Sequence, residues 1–235
     1  MKRAMVNDLN APKTSREFLG LLRRRSCLIP TWRGWLLLLL GFIMLAMLAR
    51  RCAYPFLALT KPVPGGVLVI EGWAQDDVLQ AAVSEFRRNH YEKLYVTGGP
   101  LDYGSFLSEY RTFAERGAAS LVKMGLGTNE VQAVPAPFAR QDRTYTAAVA
   151  LRDWWREHRL APMKVHLLSE GPHARRSRLL YRQALGKKVD VGITAIEGRN
   201  YDPLHWWRSS AGVRNVTDEW IAYIYVILFF RTHGE

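Results

Sequence analysis

Sixteen consecutive uncharged residues, Gly34 to Ala49 (GWLLLLLGFIMLAMLA), constrain this chain more than any other feature. As a helix at ~1.5 Å per residue they extend ~24 Å, against a hydrocarbon core of ~30 Å. Apolar character resumes from Cys52 to Leu59. Snorkelling of Arg33, Arg50 and Arg51 with slight bilayer thinning makes up the difference. The preceding basic region is too long, and the apolar stretch too extended, for a cleaved signal peptide, and no A-x-A site follows. The expectation is a membrane anchor over residues 34–59, preceded by a basic tail over 1–33.

The net charge of +12 does not point to nucleic acid once it is divided along the chain. Residues 1–61 hold eleven Lys and Arg against Asp8 and Glu17, whereas residues 62–235 hold 22 bases against 19 acids. The excess belongs to the tail. Eight bases precede the span and only Arg50, Arg51 and Lys61 follow it. The positive-inside rule therefore predicts a cytoplasmic N-terminus and an extracytoplasmic domain at a plasma or inner membrane, although Arg50 and Arg51 sit at the wrong end. Cys27 and Cys52 flank the span and cannot pair within one chain; Cys52 reads as a small buried or interfacial residue.

Pro62 to Gly66 (PVPGG) reads as a linker into a domain over residues 62–235. Short β-branched runs then alternate with amphipathic segments, which predicts parallel strands in a Rossmann-like, doubly wound α/β fold. Strands are expected at Val67–Ile70, Lys93–Thr97, Val131–Val134, Lys164–Leu168 and Val189–Ile193. Helices are expected at Asp76–Asn89 with an Asp cap, Ser105–Met124, Asp142–His158 and Pro172–Leu185. A last helix, Val216–Arg231, contains an apolar run from Trp220 to Phe230, too short to span a bilayer. Either it is a core helix covering the sheet, or Trp220, Tyr223, Tyr225 and Phe229 rest on the lipid surface.

In open α/β sheets, ligands bind beyond the carboxyl ends of the strands. There the first strand leads into Glu71-Gly72-Trp73, and the second into Thr97-Gly98-Gly99, where glycines let backbone approach an anion closely. The third leads to Arg143 and Thr144, and the fourth to His173, Arg176 and Ser177, which share one helical face. Arginine at a helix N-terminus faces partial positive charge, so something negative should stand opposite. Glu109, Asp142 or a ligand phosphate are the candidates.

In this combination and order, Gly72, Thr97-Gly98-Gly99, Glu109, Thr144, and His173 with Arg176 resemble the YdcF/SanA/ElyC-like family of Rossmann-like proteins, over about residues 66 to 230. The chain departs from that pattern in Glu71 and Trp73 around the first glycine, in Ser177 after Arg176, and in lacking Asn near Thr144. The resemblance implies an envelope setting, including anchored members connected with cell-wall or surface-polysaccharide assembly and barrier integrity. A soluble relative is associated with S-adenosylmethionine, a cofactor with no ready supply outside the cytoplasm. No cofactor is assigned.

The six histidines show no metal-binding spacing, and neither a G-x-S-x-G elbow nor a Walker A stretch occurs. Two functions follow. In one, an enzyme acts on a phosphorylated, lipid-linked envelope precursor, with Gly98, Gly99, Arg143 and Arg176 holding phosphate, His173 as general acid or base and Glu109 orienting or accepting a proton. In the other, the domain senses a ligand or partner without turnover. The stretch Tyr201 to Arg214, with Trp206-Trp207-Arg208, is expected to pack on the last helix.

Overall fold

The computed structural model describes residues 30–102 and 107–231. Most of the basic tail, Cys27, and Ser105 and Phe106 of the expected second helix lie outside the described residues. The chain divides into two units, residues 1–45 and 46–235.

Helix α1 (Trp32–Leu57) has a mean hydropathy of 2.0 over an 18-residue window, long and apolar enough to cross a membrane. Its large apolar side chains from Trp35 to Leu48 are exposed, as a lipid-facing surface requires. The final turns differ in kind. Ala53, Tyr54 and Leu57 are buried with Val216 in a small core, against which Tyr201, Trp206, Trp220 and Tyr223 pack. The expected anchor of 34–59 thus overlaps the folded domain at its end. Cys52, on the same helix, is exposed rather than buried.

Five parallel strands follow, β1 (Val67–Glu71), β2 (Leu94–Gly98), β3 (Val131–Pro135), β4 (Lys164–Glu170) and β5 (Asp190–Ile196). Their order is β3-β2-β1-β4-β5, the doubly wound arrangement. Alternation along each strand sorts the core into two layers. Val67, Val69, Val165 and Leu167 face α4 (Arg143–Glu157) and α5 (Ala174–Leu185), packing with Leu151, Trp155 and Tyr181. Leu68, Ile70 and Leu168 face α2 (Asp76–Arg88) and α3 (Phe113–Lys123), packing with Val78, Leu79, Phe86 and Leu121. The β5 edge is covered at one point by Lys61, whose backbone exchanges both hydrogen bonds with Ile193.

Two helix starts differ from expectation. The cap of α2 is Gln75, with Asp76 and Asp77 in the first turn. Helix α3 starts at Phe113 because Thr112 and Glu115 form a reciprocal capping box, which outweighs the apolar spacing further upstream. The last helix, α6 (Ser210–Leu228), starts six residues before the expected Val216, where the Ser209 hydroxyl accepts from the Gly212 amide. It is not a core helix. Only Gly212, Val216 and Val226 are buried, while Ile221, Ile224, Ile227 and Leu228 are exposed. Of the aromatics expected at a lipid surface, Trp220 and Tyr223 are half-buried and pack on Phe56, and Tyr225 and Phe229 are exposed.

Candidate functional site

The strand order places the topological switch between β1 and β4, whose last residues are Glu71 and Glu170. A cavity of about 600 Å³ opens there. Its floor is the carboxyl edge of the sheet, and α6 forms the opposite wall. Asn215, Glu219, Ala222 and Val226, at helical spacing, face inward. At one end Glu219 meets the start of α5; at the other Phe230 packs on Tyr145 of the first turn of α4, ring centroids 5.0 Å apart.

Eight of the ten expected site residues line this cavity: Glu71, Thr97, Gly98, Gly99, Arg143, Thr144, His173 and Arg176. Gly72 does not. A Cβ there would stand 2.1 Å from the Phe113 carbonyl oxygen, so this glycine admits the start of α3 against the end of β1. Gly98 has a related reason, since a Cβ would meet that of Phe113 at 2.7 Å. Gly99 is not crowded: a Cβ there would make only ordinary contacts, the nearest with the Pro137 carbonyl oxygen at 3.7 Å. Glu109 lies in the loop before α3, exposed and outside the lining.

The direct partner of Arg176 is Glu219; Asp142 acts on it only at longer range, and Glu109 is not among the charges that do. Arg176 donates to Glu219 through Nε to Oε2 and through Nη2 to Oε1, both at 2.9 Å, a bidentate pairing. His173 Nδ1 donates to Oε1 at 2.8 Å. With that proton directed at Glu219, the 2.9 Å approach of Arg176 Nη2 to the same nitrogen is a contact of two donors sharing one carboxylate. On the other side of the ring, Nε2 lies 3.2 Å from Glu71 Oε2. The approach is not well directed for a hydrogen bond, and the charges of the two groups attract each other strongly. The Ser177 hydroxyl donates to Glu71 Oε2 at 3.4 Å, and Trp73 stands edge-on to the imidazole.

These contacts set the protonation states. Burial works to lower the His173 pKa, but Glu71 and Glu219 outweigh it and push it up to about 9. Burial works to raise Glu219, yet His173 and Arg176 hold it at about 2. Glu71 is also held below the usual carboxylate range against burial, by His173 first, then Arg176 and Thr144. At neutral pH His173 is a buried cation between two carboxylates, a proton donor rather than a base. Glu170 moves the other way, raised by burial and by Asp77.

The opposite end of the cavity is less saturated. Arg143 pairs with Asp102 at 2.9 Å, with side chains 70% and 44% exposed, an ion pair of little energetic weight. Among the described residues no carboxylate pairs with Arg140, which also lines the cavity. Asp142, just before α4, adopts the left-handed conformation at φ 53° and makes no side-chain cap. Its carboxylate is left for the cavity. Such backbone is tolerated by aspartate and recurs at functional sites. Thr97, fully buried at the end of β2, spends its hydroxyl on Tyr181 at 2.8 Å.

No family model, curated protein or solved structure matches this chain. The family resemblance therefore rests on the residues that carry it. Among the described residues no group of His, Cys, Asp or Glu is arranged to hold a metal ion.

Proposed function

We propose that this is a membrane-anchored, YdcF-like protein of the cell envelope whose domain lies outside the cytoplasm, and that its cavity binds a phosphorylated, partly apolar envelope molecule such as a lipid-linked precursor. The observation that carries the reading is the polarity of the cavity. Its lining combines Arg140, Arg143 and Gly99 with apolar Phe138, Ala222, Tyr225 and Val226. A phosphate would exchange with Asp102 for the exposed Arg143 guanidinium and use Arg140, at small cost. His173 and Arg176, saturated by Glu219 and Glu71, do not hold the phosphate in this reading. They fix α6 as the wall against which the apolar portion lies.

A second reading, proton transfer to the ligand, is favoured by the protonated state of His173 and by its Nε2 lacking a directed acceptor. In that case His173 is the general acid for a leaving oxygen, and Glu71 stabilises the cation until the proton departs.

Calorimetric titration of the full-length protein in micelles with farnesyl phosphate and with farnesol tests the proposal. Binding of the phosphate, weakened about tenfold in Arg143→Ala, with no comparable binding of the alcohol, is expected. Equal binding of both, or indifference to Arg143→Ala, would overturn it.

A further inference from the structure

A second cavity, of about 610 Å³, lies apart from the first, between the last turns of α1, the segment after β5 and the short 3-10 helix Pro203–Arg208. Arg50, Arg51 and Arg208 line it together with Trp206 and Trp207, and Glu197 is the carboxylate of its wall. Among the described residues none of the three arginines has a carboxylate partner within ion-pair distance.

The site is built rather than incidental. Pro55 has no amide hydrogen for the Arg51 carbonyl, which loosens α1 at that turn. The Trp206 indole donates to the neighbouring Arg50 carbonyl at 3.0 Å. The Arg50 guanidinium lies over the Trp207 ring, 4.2 Å from its centroid, which fixes the charge in place. The 3-10 helix is itself held. Asp202 accepts from the Leu204 amide at 2.8 Å and from His205 at 2.6 Å. Behind it, Gly212 packs so closely that a Cβ would meet the Trp206 carbonyl oxygen at 2.3 Å.

Position along the chain indicates the ligand. Arg50 and Arg51 directly follow the uncharged residues 34–49 in the same helix. When those residues cross a bilayer, the two arginines stand at the level of the lipid head groups, where tryptophan is also favoured. They are the bases that run against the positive-inside pattern, so the chain places them there despite the orientation signal.

We propose that this cavity binds the head group of an anionic phospholipid, its phosphate held by Arg50, Arg51 and Arg208, with Trp206 and Trp207 as the aromatic wall. Guanidinium forks suit a phosphate diester, and acyl chains would continue beside α1. The inference rests on α1 crossing the membrane and is independent of what the first cavity binds.

The test uses native mass spectrometry of the full-length protein in micelles with equimolar phosphatidylglycerol and phosphatidylcholine. Retention of phosphatidylglycerol in preference by about tenfold is expected, falling to near parity in Arg50→Gln/Arg51→Gln. Arg208→Gln, outside the span, is expected to lose part of the preference at unchanged melting temperature. Equal retention of both lipids, or a preference unmoved by Arg208→Gln and by the double variant, overturns the proposal. So does full displacement by inorganic phosphate at the concentration of the lipid, which would make this a soluble-anion site. Release of the protein from membranes by alkaline carbonate would instead count against the span, whichever way lipid selectivity falls.

Discussion

Glu219 accepts a 2.8 Å hydrogen bond from His173 Nδ1, joining α6 to the start of α5 across 46 residues of sequence. The same carboxylate takes both near nitrogens of Arg176. Removing it leaves buried His173 and half-buried Arg176 with Glu71 as the nearest remaining carboxylate.

Glu219→Ala is expected to destabilise the full-length protein by ~3 kcal/mol, the order expected when one partner is taken from a largely buried ion cluster. Chemical denaturation in micelles measures it. Glu219→Gln should lower the His173 pKa from about 9, read by histidine NMR, because one of the two carboxylates that raise it is lost.

The cluster also sets a pH window. His173 is raised from 6.5, so its stabilisation is complete below that value and is lost as pH rises through about 9. Glu219 is lowered from 4.5, so its stabilisation is complete above that value and is lost as pH falls toward about 2. Melting temperature against pH should plateau between about 4.5 and 6.5 and fall on both sides. In Glu219→Gln the alkaline limb should still begin near 6.5, but end at lower pH and with a smaller total drop, because only the folded-state pKa of His173 is lowered.

The two glycines after β1 and β2 that face different neighbours should separate cleanly. Gly72→Ala drives a Cβ into the Phe113 carbonyl and should cost ~2 kcal/mol or more. Gly99→Ala meets only ordinary contacts, the Pro137 carbonyl at 3.7 Å the nearest, and should cost less than ~1 kcal/mol, while narrowing the cavity and weakening farnesyl phosphate binding.

The end of α1 belongs to the folded domain. Leu57 is fully buried, so Leu57→Ala should cost ~3 kcal/mol, whereas Leu40→Ala, on the exposed stretch, should leave the domain's melting unchanged. Circular dichroism of the two variants in the same detergent compares them.

Much of this was legible in residues alone. Alternating β-branched runs marked all five strands, and the i, i+3 spacing of His173 and Arg176 put them on one face because a helix must. Glu219 was not legible, since its partners lie 43 and 46 residues away and the apolar run from Trp220 dominates its neighbourhood. The spacing of Asn215, Glu219, Ala222 and Val226 was the available signal for an inward polar stripe. Glu109 was misplaced on a helix because Phe106, Tyr110 and Phe113 fall at helical spacing, although Thr112-x-x-Glu115 announces the true start. The role of Gly72 depends on where α3 lands, which no local pattern encodes.

The most direct test of the central claim is where a lipid phosphate sits. A prenyl phosphate bearing a diazirine on its tail, photolysed with the full-length protein in micelles, should label peptides containing Phe138 and Tyr225 or Val226, with labelling suppressed by excess farnesyl phosphate and not by farnesol. Labelling confined to the exposed stretch of α1, or suppressed equally by the alcohol, would contradict the account.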